Sequence, residues 1–215
     1  MTRCDVRLES VADDKELQWF LSGLSEDAVW FVLSYGGGCP PGGTFEEHLM
    51  IAPPIEPYPA SENSPETARY YWRDVANNLG VDLLRTEDVT RDDFPYVGSN
   101  PLENLNEHGL MLTQEGCVAP DQWQVIKRIV RANPSDPVYT VEIAWHAVLH
   151  GQKEWQAAFG RQKIRDLDEA DLPLMFWSAD RDWLVSTQWD SPMTMLYTTR
   201  EVAQAIRCEP ALEVL

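Results

Sequence analysis

At 215 residues, with 44% apolar side chains and nine tryptophans, the chain is long enough to bury a substantial core and too apolar for disorder. Its 35 acids against 17 bases leave a net charge of −18. A surface of that sign repels nucleic-acid phosphates and anionic membranes and attracts basic partners, over a screening length of about 8 Å at physiological salt.

The acidity is uneven: from Glu16 to Ala68 there are eight acids and no Lys or Arg. Solubility alone also accounts for an acidic surface, so charge by itself names no partner. Cys4, Cys39, Cys117 and Cys208 form neither a CxxC pair nor a disulfide framework, which leads us to expect reduced thiols in a cytoplasmic protein. The opening MTRCDVRLES has no apolar signal core, and no apolar run reaches the length of a membrane span. Residues 1–215 are expected to form one domain.

In chain order, Cys4, Val6 and Leu8 alternate with polar residues and predict a strand over 2–8. Ser10-x-x-Asp13 resembles a capping box, and Leu17, Phe20, Leu21 and Leu24 follow at helical spacing, so a helix is predicted over 11–23. The run AVWFVLSY, 28–35, reads as a buried strand. After it, Gly37-x4-Gly42-Gly43-Thr44 has the outline of a phosphate-binding loop, but Gly43 stands where Lys is required and no cation is near, so 36–43 reads as a connector.

His48–Ile51 predicts a short strand, and APPIEPYPASENSP a surface loop. A helix is predicted from a Ser64 cap with Pro65 at its first position, an apolar stripe at Ala68, Tyr71, Trp72, Val75, Ala76 and Leu79, and a stop at Gly80. Strands are predicted at 81–84 and 109–113. A helix is predicted over 120–132, with Trp123, Val125, Ile126, Ile129 and Val130 inward and a basic face of Lys127, Arg128 and Arg131.

Asp136-Pro137 and the terminal Gly151 frame a segment with two readings. VYTVEIAW is rich in strand formers. The cap, the proline and the set Val138, Val141, Trp145, Val148 and Leu149 favour a helix, which is the reading adopted, with a second helical piece near 152–159. The last third, Leu172–Ile206, reads as strand, acidic turn, strand, strand, helix. In its second strand Trp183, Val185, Thr187 and Trp189 share one face, while Leu184, Ser186 and Gln188 share the other, which is expected to meet water or a partner.

Few residues offer chemistry. Glu142, His146 and His150 are spaced by four, so on a helix they would share a flank able to ligate a metal, but HExxH is absent because Ala147 follows His146. There is no GxSxG and no GxGxxG after a strand, and neither Cys39 nor Cys117 has a cation beside it. The carboxylate clusters Asp92-Asp93, Asp166/Asp168/Glu169/Asp171 and Asp180/Asp182 match no calcium loop. Beside Trp183, Trp189 and Asp190, the acids of 166–190 fit a surface that receives a basic protein, with aromatic anchors ringed by carboxylates.

The segment FWSADRDWLVSTQWD, followed by a strand, a helix and a terminal PALEVL, resembles the ending of small acidic bacterial proteins grouped with toxin-immunity proteins. The resemblance covers the last fifth of the chain. It implies a cytoplasmic protein that binds and blocks a cognate toxin, often a basic nuclease, and it assigns no residue a role.

The sequence therefore predicts an α+β protein, a mainly antiparallel sheet with packed helices, with an α/β sheet as the alternative. Its expected function is that of an acidic, non-enzymatic binding protein of the immunity or inhibitor kind, contacting a basic protein such as a toxin through Asp166, Asp168, Glu169, Asp171, Asp180, Asp182, Trp183, Trp189 and Asp190. No cofactor, membrane or direct nucleic-acid contact is expected. The alternatives are a metal-dependent enzyme using Glu142, His146 and His150, and a DNA mimic.

Overall fold

A computed structural model describes residues 15–22, 44–57, 69–80, 109–112, 118–143, 157–167, 175–187 and 193–215. The elements are α1 (Lys15–Ser22), β1 (Glu47–Ala52), β2 (Ile55–Pro57), α2 (Trp72–Leu79), β3 (Leu110–Leu112), α3 (Pro120–Ile129), β4 (Pro137–Ile143), β5 (Ala157–Lys163), α4 (Ile164–Leu167), β6 (Met175–Ser178), β7 (Trp183–Thr187), β8 (Thr194–Thr198), α5 (Arg200–Arg207) and β9 (Glu213–Val214). Seven strands form one sheet in the order β5-β4-β6-β7-β8-β1-β9, and β2 pairs with β3 separately. Every pairing among the described strands is antiparallel, so the fold is α+β. The predicted strands at 2–8, 28–35 and 81–84 and the connector at 36–43 lie outside the described residues.

The sheet is covered on both faces. Strand side chains alternate between faces, so the register sorts them into two cores. On one face Val141, Met175, Trp177, Leu184, Met195, Tyr197 and Met50 pack with Phe20 of α1 and Trp72 and Val75 of α2. On the other, Val138, Phe176, Trp183, Val185, Leu196, Leu49 and Ile51 pack with Trp123 and Ile126 of α3 and Ala203 and Ile206 of α5. Burying a side chain of this size fully stabilises the fold by about 1.5–3 kcal/mol.

This arrangement corrects the reading of Leu172–Ile206. β6, β7 and β8 are interior strands, and both faces of β7 are buried, including the Leu184 and Ser186 face expected to meet water. A strand flanked by helices on both sides has no solvent face, whatever its alternation.

The segment from Pro137 is a strand, not a helix. β4 runs between β5 and β6 with Tyr139 opposite Trp177 and Arg161, and Ala157–Phe159, expected to be helical, belong to β5. The Asp136 carboxylate accepts from Asn133 N–H behind it, closing a turn instead of capping a helix ahead. Pro137 occupies the first residue of the strand, where a missing N–H is tolerated. Gly160 lies opposite Thr140, and a Cβ there would sit 2.6 Å from Thr140 Oγ1.

α2 begins later than its stripe suggests. Ser64 and Pro65 lie outside the described residues, and residues 69–71 precede the helix, which starts at Trp72 after Tyr71 in extended geometry. The Gly80 stop is as predicted, with φ 67. α1, β1, β3 and α3 fall where the sequence places them, and α3 closes with Arg131 at φ 54, a left-handed position usually held by glycine.

Candidate protein-binding surface

The β6–β7 turn organises the surface near the predicted contact residues Asp180 and Asp182. The β6–β7 turn is closed by Arg181 N–H to Ser178 O at 2.9 Å, and Ser178 Oγ accepts from Asp182 N–H at 2.9 Å. Arg181 adopts φ 60, costly for a residue with a Cβ. Its side chain offsets that cost: it grips Glu16 through two nitrogens at 3.0 and 2.8 Å and lies 4.4 Å from the Trp19 ring centre. Trp19 and Phe20 in turn pack on Trp177. The turn therefore fastens α1 to the sheet and leaves the Asp180 and Asp182 side chains exposed, without ion pairs among the described residues.

Of the predicted contact residues, Asp166, Asp180, Asp182 and Trp183 fall among the described residues. Asp166 is exposed, pairs with Arg165 at 3.5 Å and accepts from Lys163 N–H at 3.0 Å. Trp183 is only 4% exposed and packs against Trp123 and Phe176, with ring centres 5.8 and 6.1 Å away. It is a core residue and cannot anchor a partner. Asp168, Glu169, Asp171, Trp189 and Asp190 lie outside the described residues. β7 leaves Asp182 at one end of the sheet and reaches Thr187 at the other, roughly 17 Å along the strand. Thr187, the last described residue of β7, thus lies at the end of the strand opposite Asp182.

The metal hypothesis loses its geometry. Glu142 lies on β4 opposite Ala158, so the helical flank supposed to align it with His146 and His150 is not formed at Glu142. The two histidines lie outside the described residues, and among the described residues no group of three or more His, Cys, Asp or Glu could hold a metal ion. No helix among them is long and apolar enough to cross a membrane.

Charge is distributed unevenly. The described residues carry fourteen of the 35 acids but twelve of the 17 bases, so this scaffold is close to neutral. The excess negative charge therefore belongs to the other segments, richest between Asp82 and Glu115, whose sequence has eight acids and only Arg85 and Arg91 as bases. On the scaffold, several arginines pair with nearby carboxylates. Glu47 accepts from Arg207 at 3.1 Å and lies 3.5 Å from Arg200, and the Arg207 hydrogen bond holds its carboxyl below the usual carboxylate range. Arg128 pairs with Glu209 at 2.7 Å.

The exposed aromatics lie elsewhere than expected. Tyr70 and Tyr71 are 42% and 52% exposed, and they are the large hydrophobic residues the described surface presents to solvent. The sequence reading placed Tyr71 in the buried stripe of α2. Tyr70 instead forms a two-bond bridge with Ile55, at 2.8 and 3.3 Å, which continues the extended chain up to Trp72. Trp72 turns inward, fully buried, with its indole N–H donating to Pro53 O at 2.6 Å.

The junction is fixed from several directions. Glu213, on the terminal strand, accepts from Trp72 N–H at 2.6 Å and Arg73 N–H at 2.9 Å, serving as the cap that Tyr71 cannot supply. Burial raises the Glu213 carboxyl above the usual range despite those two bonds. The Tyr71 hydroxyl donates to Pro210 O at 3.2 Å. Arg69 pairs with Asp121 and lies 3.7 Å from Glu56, and Arg73 donates to Val214 O. The sequence held a signal for this site in Arg69-Tyr-Tyr-Trp-Arg73, two adjacent tyrosines before a helix, but not the distant cap that sets where the helix begins.

Compared with protein-family models, curated proteins and solved structures, the chain matches none.

Proposed function

We propose that the protein is an acidic, non-enzymatic binding protein of the inhibitor or immunity kind, which neutralises a basic protein such as a bacterial toxin. The observation that carries this reading is the charge distribution: an antiparallel scaffold close to neutrality, with 21 of the 35 acids in the segments outside it. The acids supply a long-range field that accelerates encounter with a basic surface, and the scaffold supplies rigid contacts once the two meet. Asp166, Asp180 and Asp182 add to the field as exposed carboxylates; Trp183 contributes only packing.

The test is kinetic. The immobilised chain captures a basic protein from bacterial lysate at low salt, and the purified pair is then followed by surface plasmon resonance across a salt series. The association rate falls by about tenfold or more as salt screens the field. A salt-independent rate, or unimpaired binding after Asp166, Asp180, Asp182 and their acidic neighbours are changed to lysine, would refute steering.

A further inference from the structure

We infer that Tyr70 and Tyr71 are the anchor of the contact surface and receive arginine side chains of the partner, an inference that rests on the reading of the protein as an acidic binder. Two adjacent exposed tyrosines leave much of their ring area in water, and tyrosine is among the residues that dominate binding energy at protein interfaces. Their backbone is held by the Ile55–Tyr70 bridge and by Glu213 on the two N–H groups that follow, and the Tyr71 side chain by its hydroxyl donating to Pro210 O. An anchor already fixed in place loses little conformational freedom on binding.

The surrounding charge selects the occupant. The residues joined to this junction include Glu56, next to the Ile55 that bridges Tyr70 and an ion-pair neighbour of Arg69, Asp121 paired with Arg69, and Glu213 on the N–H groups of Trp72 and Arg73, with Asp74 in the first turn of α2. Both arginines are engaged within the protein, Arg69 with Asp121 and Glu56, and Arg73 with Val214 O. Asp74, one turn beyond Tyr71, is exposed and has no ion pair among the described residues. Electron-rich ring faces beside excess carboxylate suit a guanidinium, which stacks on an aromatic face and pairs with a carboxylate at once. Arginine is favoured over lysine because its planar group can do both.

The probe is a short arginine–glycine repeat peptide, with the lysine–glycine peptide as comparison, titrated into the isotopically labelled full chain and followed by amide chemical shifts. The expected result is shifts concentrated at Glu56, Arg69–Asp74 and Asp121, tighter binding of the arginine peptide, and a loss of about fivefold to thirtyfold in affinity for the Tyr70→Ala/Tyr71→Ala double variant. Tyr70→Phe/Tyr71→Phe keeps the rings and retains most of the affinity, which separates ring stacking from loss of the Pro210 hydrogen bond. Binding that leaves 69–74 unshifted and is unchanged in the alanine variant overturns the placement while leaving the acidic-binder reading standing. Failure to bind either peptide at low salt overturns both.

Discussion

Replacing Glu213 tests how α2 is started. Its carboxylate is the only side-chain cap on the first turn of α2 among the described residues, bonding Trp72 N–H at 2.6 Å and Arg73 N–H at 2.9 Å. Hydrogen bonds to a charged acceptor contribute about 1.5–3 kcal/mol each when made, but the carboxylate is partly stripped of water to make them. The net effect of Glu213→Ala at neutral pH should therefore resemble loss of a strong cap, about 1–2 kcal/mol. For a chain of this size each kcal/mol lowers Tm by about 2–4 °C, so a fall of roughly 2–8 °C is expected.

The pH dependence is the sharper part of the test. Burial holds the folded pKa of Glu213 above the ordinary carboxylate value of 4.5, outweighing the two N–H bonds. The folded state thus binds this proton more tightly than the unfolded state. The associated stability is fully present below 4.5 and is lost as pH rises through the raised folded value. Urea denaturation of the native chain and Glu213→Gln between pH 4 and 7 isolates the effect, because the remaining acids cancel in the difference. The stability advantage of the native chain should be largest at pH 4 and narrow toward pH 7. A gap that widens with pH would mean that the cap bonds outweigh burial, and no gap at any pH would mean that the charge on Glu213 has no part in holding α2, since glutamine can accept the same N–H groups.

Three further outcomes follow from local geometry. Glu47 should titrate below 4.5, with its small contribution to stability present above 4.5 and lost as pH falls through the depressed value; in carboxyl-detected NMR, Arg207→Ala moves its midpoint back up. Arg181→Gly removes the left-handed strain and Arg181→Ala does not, although both lose Glu16 and Trp19, so glycine should be the more stable variant by about 1 kcal/mol in thermal denaturation; equal Tm values would contradict the strain. Gly160→Ala should destabilise by about 1–3 kcal/mol because its Cβ meets Thr140 Oγ1, and adding Thr140→Ala should recover much of that loss in a double-mutant cycle.

Legibility in the sequence followed how local the cause was. α3 and α5 begin and end on nearby residues, as in the bond from Val202 N–H to Thr199 Oγ1, and both helices were readable, α3 by its apolar stripe. The alternation of β6–β8 gave strands but not surroundings, because whether the second face of Trp183–Thr187 meets water depends on helices distant in sequence. β4 was misread because Asp136-Pro137 has the composition of a helix start. Only the direction of the Asp136 bond, back to Asn133, distinguishes the turn. The exposed tyrosines escaped notice because periodicity assigned Tyr71 to a helix that starts one residue later, under a cap 141 positions away.

That separation has a consequence for how the molecule is made. β1 lies between β8 and β9, and α2 is capped from β9, so these early elements depend on residues after Met193. At a synthesis rate of about 5–20 residues per second, roughly 7 to 28 seconds pass between Trp72 and Glu213. Throughout that interval the apolar β1 sequence Leu49–Ala52 leaves the ribosome without the neighbours it pairs with in the sheet. A nascent chain in that state is a natural client for a chaperone, and the acids that crowd its early segments keep growing chains apart by mutual repulsion while they wait.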